Sequence, residues 1–237
     1  MVAVIFGVQG VGKSSIVNGV LANFTEEESF KLLQWGSRTC EIAIQKNIIR
    51  VGDYKTQGNF QVQYEDLVRG ITIVVSEQGE NLIYARDENC VKDAKDEIRH
   101  LDLKTQKMLQ TEVSNSFAQE ILANPNAHFI VETHAALKTL QGYLPGLTID
   151  FMQKVDPEVY IIIEANPDEI FARRLIDKER KRDHDKTIKD VKVNLDTTRY
   201  FTSSFAAYSH STLCIVENKD KLIGDAIDEV TRILKFI

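Results

Sequence analysis

The chain has 237 residues, of which 43% are hydrophobic and 27% charged, and its formal net charge is −6. This is the composition of a globular protein with a buried core, and the acidic balance argues against a dedicated nucleic-acid binder, whose surface is normally basic. The three cysteines form no CxxC or Cys/His cluster, no apolar run reaches the length of a membrane span, and the N-terminus lacks the basic segment of a signal peptide, so we expect a cytoplasmic protein without membrane or nucleic-acid partners.

Short β-branched apolar runs alternate along the chain with segments of helical spacing. The runs predict buried strands at Val2–Phe6, Phe129–Val131, Val159–Glu164 and Leu213–Val216, with a weaker fifth candidate at Lys31–Trp35. Apolar residues at helical spacing predict helices near residues 16–24, 109–121 and 222–234, and Asn166–Glu169 has the pattern of a helix start. Strands that alternate with helices predict a three-layer α/β/α fold around a central five-stranded parallel sheet.

Two segments interrupt this alternation. Residues 177–189 are highly charged and rich in basic side chains, which favours either a solvated loop or a lid that closes over a substrate. Residues 50–92 contain two alternating runs, Ile71–Val75 and Asn81–Arg86, on either side of a turn at 77–80. This second pattern predicts a β-hairpin.

Residues 7–14 match the phosphate-loop pattern G-x-x-x-x-G-K-[ST] between a predicted strand and a predicted helix. In such a loop the backbone N–H groups and the helix N-terminus face phosphate oxygens, the lysine reaches the β- and γ-phosphates, and the hydroxyl binds Mg²⁺. The residues expected to hold a nucleoside triphosphate are Gly7, Val8, Gln9, Gly10, Val11, Gly12, Lys13 and Ser14. GTPases, motor ATPases and small-molecule kinases share this loop, so other residues must separate them.

Polar residues beyond the loop extend the candidate site. Glu132 follows a predicted strand, where an acid can meet Mg²⁺ through water, although it could instead cap the next turn. His134 suits either a substrate contact or a structural role. Arginines after the predicted helix start suit the neutralisation of a transferring phosphoryl group, and they are Arg173, Arg174, Arg180 and Arg182.

A GTPase would carry an N-K-x-D signature after a strand. Asn218-Lys219-Asp220 lacks the spacer, and no D-x-x-G acid follows an apolar strand. We therefore interpret Asn218 as a helix cap and disfavour the GTPase class.

In chain order these residues resemble the archaeal type of adenylate kinase. The resemblance covers most of the chain and includes Trp35-Gly36-Ser37, Asp96 to Arg99, Asp102 to Gln106, Val131 to His134, Gly142 to Leu147, the arginines at 173–182, Arg199 and Ile215 to Asn218. The G-Y-L-P-G-L sequence at 142–147 is its most distinctive part.

The resemblance implies Mg²⁺-dependent, reversible transfer between ATP and AMP, without a covalent intermediate. It implies that the phosphates of ATP and the metal are held by Gly10, Gly12, Lys13, Ser14 and Ser15, with Glu132 near the metal. It implies that AMP is held by Ser37, Arg99, Thr133, His134, Gly142 and Tyr143, with Arg99 on its phosphate. It implies that the transferring group is surrounded by Lys13, Arg99, Arg174, Arg180, Arg182 and Arg199, and it leaves open which of Arg173 and Arg174 faces the nucleotide. Homo-oligomers, often trimers, are typical of the family.

The chain departs from the family pattern at two places. Glu132 stands where the family has aspartate, and residues 50–92 intervene before the D-x-x-R arginine. We therefore expect one kinase domain, with a core at 1–49 and 93–237, an inserted segment at 50–92 in the monophosphate-binding region, and a lid at 177–189. The insertion could cover the acceptor site, mediate oligomer contacts or be neutral. A kinase for another nucleoside monophosphate or small hydroxyl acceptor, and a non-catalytic ATP sensor, remain as alternatives.

Overall fold

The computed structural model describes residues 1–25, 28–139, 142–176 and 187–237. The predicted lid at 177–189 lies outside the described residues except for its last three, which are Thr187, the cap of a long helix, and the first two residues of that helix. Contacts divide the chain into a large unit and a small unit. The large unit consists of Met1–Gln34, Ser116–Lys138 and Tyr143–Ile237, and the small unit of Trp35–Asn115 and Thr139–Gly142.

The elements follow one another in the mixed order expected of an α/β protein. The strands are β1 (Val2–Gly7), β2 (Phe30–Gln34), β3 (Ile49–Val51), β4 (Phe60–Asp66), β5 (Ile71–Ser76), β6 (Asn81–Ala85), β7 (His128–Glu132), β8 (Ala136–Thr139), β9 (Gly142–Pro145), β10 (Val159–Glu164) and β11 (Thr212–Glu217). The helices are α1 (Lys13–Ala22), α2 (Trp35–Gln45), α3 (Val91–Glu97), α4 (Leu103–Leu122), α5 (Ile149–Val155), α6 (Pro167–Ile176), α7 (Ile188–Ser209) and α8 (Ile223–Phe236).

The large unit is built on a five-stranded parallel sheet in the order β11-β10-β1-β7-β2. This confirms the predicted sheet, including the weak candidate that became β2. β1 and β10 are buried at every position, because strands covered on both faces need apolar side chains on both.

Helices cover both faces of this sheet. Ile5 on β1 shares a buried cluster with Val20 of α1 and Val230 of α8. The next side chain along β1, Phe6, points to the opposite face and packs against Phe205 of α7 with a ring separation of 5.9 Å. The alternation of one strand thus fixes two helical layers, which confirms the predicted three-layer fold.

The predicted helix starts and repeats are also confirmed. Asn166 accepts a hydrogen bond from the backbone N–H of Asp168 at 2.9 Å, so α6 begins with the expected cap and proline. The repeat at 109–121 lies within α4, and the repeat at 222–234 lies within α8 except for Leu222, which precedes that helix. No helix in the described ranges is both long enough and apolar enough to cross a lipid bilayer.

The small unit contains a second sheet in the order β3-β6-β5-β4. The predicted hairpin is confirmed as the antiparallel pair β5 and β6. Two further strands, β3 and β4, extend it on either side and were not predicted, because β3 has three residues and β4 has only exposed or half-buried side chains. The unit also includes α2, α3 and the first part of α4, so the 50–92 segment shares a compact body with the helices on either side of it.

Candidate active site

The site of the large unit lies at one edge of its sheet. Since all five strands run in the same direction, their carboxyl ends meet there. The polar residues at or just beyond these ends are Gln34 on β2, Glu132 on β7, Glu164 on β10 and Asn218 after β11. Ligands of open parallel sheets bind at this edge.

The phosphate loop connects the end of β1 with the start of α1. Gly10 and Gly12 adopt left-handed backbone angles, with φ of +83° and +89°. A Cβ atom at residue 10 would lie 2.9 Å from Cγ of Arg174, and one at residue 12 would lie 2.4 Å from Nδ2 of Asn218. Both glycines are therefore required by backbone conformation and by their neighbours.

Asn218 ties the far strand to this loop. Its side-chain amide donates a hydrogen bond of 2.7 Å to the carbonyl oxygen of Val11, and its backbone N–H donates to Glu164 O at 2.7 Å. The interpretation of Asn218 as a helix cap is wrong, because α8 begins only at Ile223 and follows Leu222. Asn218 instead fixes the phosphate loop.

Glu132 is the centre of a charged cluster. One carboxylate oxygen, Oε1, lies 3.1 Å from the Lys13 ammonium and accepts a hydrogen bond of 2.6 Å from the Ser14 hydroxyl. The other, Oε2, accepts one of 2.9 Å from the amide of Gln34. The alternative role of Glu132 as a turn cap is wrong, because within the described residues these three side chains take up its carboxylate.

The environment of Glu132 keeps its carboxylate ionised. Its side chain is 7% exposed, and burial alone would raise its pKa. The Lys13 charge and the hydrogen bonds from Ser14 and Gln34 outweigh burial and lower the pKa of Glu132 to about 2. The longer acid thus reaches the cluster that the sequence assigned to it, and Gln34 is a member that the sequence analysis missed.

The same cluster fits a magnesium ion. A hydroxyl and a carboxylate are the hard oxygen ligands that Mg²⁺ prefers, and Mg²⁺ usually keeps several waters and substrate phosphates as its remaining ligands. The described ranges contain no cluster of three His, Cys, Asp or Glu side chains that could enclose a metal by themselves. Ser14 would bind the ion directly and Glu132 through water.

The distinctive G-Y-L-P-G-L sequence has a structural origin in the large unit. Gly146 packs against the chain after β7 so closely that a Cβ atom there would lie 1.5 Å from the carbonyl oxygen of His134. The backbone N–H of Gly146 donates to Ala135 O at 2.7 Å. The His134 ring in turn donates from Nδ1 to Gly7 O at 2.9 Å. The segment thus fixes the chain beside the phosphate loop.

Three of the predicted arginines lie in the large unit. Arg174 is 7% exposed and donates from Nε to Gln9 O at 2.8 Å. Arg173 is more exposed and forms an ion pair of 3.2 Å with Glu169. Arg199 donates two hydrogen bonds to the Glu164 carboxylate, from Nε at 2.5 Å and from Nη2 at 2.6 Å. Arg180 and Arg182 lie outside the described residues.

The remaining predicted residues of the large unit are Ser15, Thr133 and Tyr143. Ser15 is exposed on α1 next to Ser14. Thr133 is buried and its backbone N–H donates to Ile5 O at 3.1 Å. Tyr143 is half-buried on β9.

The predicted acceptor residue Arg99 belongs to the small unit. It lies in a short 3₁₀ turn, Ile98–His100, between α3 and α4. Its Nε donates to the carbonyl oxygen of Asp96 at 2.6 Å. Within the described residues neither terminal guanidinium nitrogen makes a hydrogen bond, and the charged partner of Arg99 is Asp96, whose Oδ1 lies 3.8 Å from Nη2. The guanidinium can therefore still donate hydrogen bonds to a phosphate.

The D-x-x-T-Q residues shape this turn. Asp102 accepts from the backbone N–H of Thr105 at 2.9 Å and from its hydroxyl at 2.6 Å, which caps the start of α4. The Gln106 amide donates to Arg99 O at 3.0 Å and to Leu101 O at 2.6 Å. This part of the resemblance is therefore structural support for Arg99.

The other predicted acceptor residues of the small unit are Ser37 and Gly142. Ser37 is half-buried near the start of α2, and Gly142 begins β9 with a φ of +136°. A cation that the sequence analysis missed lies against the same end of α2: the Lys95 ammonium would be 3.2 Å from a Cβ atom at Gly36. Lys95 precedes Arg99 by four residues, and this spacing is the sequence signal from which Lys95 could have been predicted.

Comparison with known proteins identifies the family. The model of the AAA domain family AAA_17 matches residues 61–192. The adenylate kinase of Methanopyrus kandleri is 36% identical over 146 residues, which are 61% of this chain and 74% of that protein. The adenylate kinase of Methanococcus aeolicus is 32% identical over 152 residues, 64% of this chain and 76% of its own. That of Pyrococcus furiosus is 28% identical over 234 residues, 98% and 94% of the two chains.

A solved structure of shikimate kinase from Bacteroides thetaiotaomicron aligns with 99% of this chain and 98% of its own, at 12% identity and a TM-score of 0.46, too low a similarity to bear on the assignment. The site in the large unit is consistent with these sequence matches, because its loop, lysine and facing acid meet at the carboxyl edge of a parallel sheet. On both grounds the chain belongs to the archaeal-type adenylate kinase family, a family of P-loop phosphotransferases.

Proposed function

We propose that this protein is an adenylate kinase that catalyses the reversible reaction ATP + AMP ⇌ 2 ADP with Mg²⁺. The observation that carries the proposal is the cluster of Lys13, Ser14 and Glu132. It supplies a cation, a hydroxyl and an ionised carboxylate at the mouth of the phosphate loop. These are the groups that a Mg²⁺–triphosphate donor needs.

The arginines support phosphoryl transfer rather than binding alone. The transferring group spreads negative charge over several oxygens, so catalysis consists largely of positioning and charge neutralisation. Arg174 of α6, beside the phosphate loop, and Arg199 of α7, at the end of β10, supply such charge. Arg180 and Arg182, which lie outside the described residues, complete the proposed set by resemblance.

The acceptor would bind through the small unit. Arg99 has two terminal nitrogens free of hydrogen bonds within the described residues, and guanidinium nitrogens bind phosphate oxygens in pairs. Ser37, beside the Gly36–Lys95 contact, would add a hydroxyl. By resemblance, the proposed acceptor set also includes Thr133, His134, Gly142 and Tyr143.

The decisive experiment is a panel of acceptors. Purified protein is mixed with ATP, Mg²⁺ and equal concentrations of AMP, CMP, UMP or dTMP, and the products are separated by chromatography. We expect AMP to have the highest kcat/KM, and omission of Mg²⁺ to abolish the reaction. Equal or faster turnover of another acceptor would overturn the assignment to AMP and leave a nucleoside monophosphate kinase.

The same panel tests the non-catalytic alternative. A sensor would bind ATP and form no ADP with any acceptor. We expect ADP from ATP and AMP, because the charged groups of the transfer chemistry are present around the loop. Binding of ATP by calorimetry without turnover would support the sensor.

One observation keeps another nucleoside monophosphate as the second candidate acceptor after AMP. The segment at 50–92 forms a four-stranded sheet within the unit that holds Arg99, so the preferred acceptor can differ from that of the family more readily than donor binding can.

The location that we propose is the cytoplasm, which supplies both nucleotides, and the three cysteines are unpaired thiols. The trimer implied by the resemblance stays a prediction, and light scattering on the purified protein would test it.

A further inference from the structure

An ion-pair network joins the 50–92 segment to the helix before Arg99. Arg69 lies in the connection between β4 and β5. Its Nε donates to Asp66 Oδ2 at 2.9 Å, and one terminal nitrogen donates to the Tyr64 hydroxyl at 3.3 Å and to Oε1 of Glu97. Glu97, the last residue of α3, is 5% exposed.

Burial of Glu97 makes its ionised carboxylate dependent on this network. An ionised carboxylate with so little exposure is stable only when a cation and hydrogen bonds compensate for its lost hydration. Besides Arg69, the described residues place only the His100 ring near Glu97, with Nε2 at 3.6 Å from Oε2. Arg69 is therefore the permanent positive charge at this carboxylate.

The network also holds Arg69 in one orientation. Burial would raise the pKa of Asp66, but the hydrogen bonds and charge of Arg69 lower it well below its usual range. The Asp66 carboxylate also accepts from the backbone N–H of Arg69 at 3.1 Å. Both ends of the arginine, backbone and guanidinium, are thus fixed before it reaches Glu97.

The turn that carries Arg99 is held from two sides. Gln106 of α4 binds its carbonyl oxygens, and this glutamine belongs to the sequence shared with the family. Arg69 binds Glu97, two residues before Arg99, and belongs to the 50–92 segment, which the sequence analysis expects to be an insertion. Arg99 itself takes its orientation from the backbone of this turn through Asp96 O.

We propose that Arg69 is a positioning residue for the acceptor nucleotide: by holding Glu97 it fixes the turn that presents Arg99, so that the inserted segment sets acceptor affinity. This rests on the proposed function, in which Arg99 binds the phosphate of AMP. Arg69 does not touch the nucleotide and acts through Glu97. The inserted segment then has a role in substrate binding that needs no contact with substrate.

The primary test is Arg69→Met in the full-length protein. We expect the KM for AMP to rise about tenfold, because a displaced Arg99 loses ground-state binding of the phosphate. The KM for ATP and kcat at saturating AMP should stay within about twofold of wild type, since a lost uniform binding contact raises KM alone. The matched control is Arg86→Met in the same segment, whose side chain is 64% exposed beside Asp87 and which should leave all three parameters unchanged.

The partner variants separate positioning from stability. Glu97→Gln should raise the KM for AMP to a similar extent. The double variant Arg69→Met/Glu97→Gln should raise it no further, because both changes remove the same contact. The double variant should also regain part of the melting temperature lost in Arg69→Met, since it no longer buries an unpaired carboxylate. A KM that stays high while stability recovers is the signature of positioning.

The conservative variant Arg69→Lys keeps the charge and loses the two-pronged geometry. It should lie between wild type and Arg69→Met in its KM for AMP, and it carries the test if Arg69→Met does not fold. An unchanged KM for AMP in folded Arg69→Met, or in Arg69→Lys alone when the former is unfolded, overturns the proposal. Equal rises in the KM values for AMP and ATP overturn it too. Failure of the proposed function differs from both, because wild type itself would form no ADP.

Discussion

A buried glutamate in the large unit, Glu132, and one in the small unit, Glu97, are neutralised in different ways. Glu132 of the large unit is paired with Lys13 and receives hydrogen bonds from Ser14 and Gln34. Glu97 of the small unit is paired with Arg69. The first cation belongs to the phosphate-loop signature, whereas the second comes from a segment outside every motif. A buried acid needs a cation in both places, but only the cation of the large unit, Lys13, belongs to a recognisable sequence motif.

The largest expected effect breaks the pair in the large unit. Lys13→Ala removes the cation that neutralises Glu132 and would neutralise the transferring phosphoryl group. We expect ADP formation to fall by about 10²–10³-fold, the usual cost of one charge-stabilising donor. Lys31→Ala is the control. This exposed lysine of β2 donates a hydrogen bond to Asn124 and lies over the Phe129 ring, away from the phosphate loop, so the variant should keep wild-type activity. Activity near wild type in Lys13→Ala would contradict the proposed donor site.

The next effect tests whether close backbone packing supports the same site. Gly146→Ala would place a methyl group on the carbonyl oxygen of His134. We expect a loss of about 3 kcal/mol in the free energy of unfolding, the upper part of the range for overpacking. Gly224→Ala is the control, because no atom lies within 4 Å of its added methyl in α8. It should stabilise the protein by about 0.5–1 kcal/mol, and a similar loss in both variants would refute the packing explanation.

A pH series sharpens the comparison between the two acids. The pKa of Glu132 is lowered from an ordinary 4.5 to about 2 in the folded protein. The ionised carboxylate therefore stabilises the folded protein at pH values above the pKa of the unfolded chain. This stabilisation is lost as the pH falls from about 4.5 to about 2. Urea unfolding of wild type and Glu132→Gln should therefore differ by about 2–3 kcal/mol near neutral pH and converge towards pH 2. A constant difference across the series would show that ionisation of Glu132 contributes nothing.

The smallest effect concerns the neutral member of the large-unit cluster. Gln34→Ala removes one hydrogen bond to Glu132 and leaves its cation in place. We expect kcat/KM to fall less than about tenfold, since a neutral hydrogen bond contributes on the order of 1 kcal/mol. If Gln34→Ala were as damaging as Lys13→Ala, the ion pair would not be the main support of the site.

The parts of the fold that the sequence predicted are those with strong local patterns. β1 and β10 are continuous apolar runs, and the phosphate loop is defined by spacing within eight residues. β3 and β4 escaped prediction because they are short or largely exposed, and their pairing depends on partners elsewhere in the chain. A strand that buries little apolar surface has few of the apolar residues by which strands are recognised in a sequence.

Site residues followed the same division. Glu132 was predictable because an acid at the end of a buried parallel strand lies at the ligand-binding edge. The contacts Arg199–Glu164, Asn218–Val11 and Arg69–Glu97 join residues 35, 207 and 28 positions apart. No local spacing encodes such pairs, because they arise only when separate elements pack. Asn218 was misjudged for this reason, since nearness along the chain to α8 suggested a cap.

The single tryptophan gives the small unit a built-in optical probe. Trp35 is 3% exposed at the start of α2, and its indole N–H donates to the side chain of Gln110 at 2.8 Å. Indole emission from this chain therefore reports on that unit alone. Titration with AMP, followed by fluorescence, can observe acceptor binding without a label and without the background of the larger sheet.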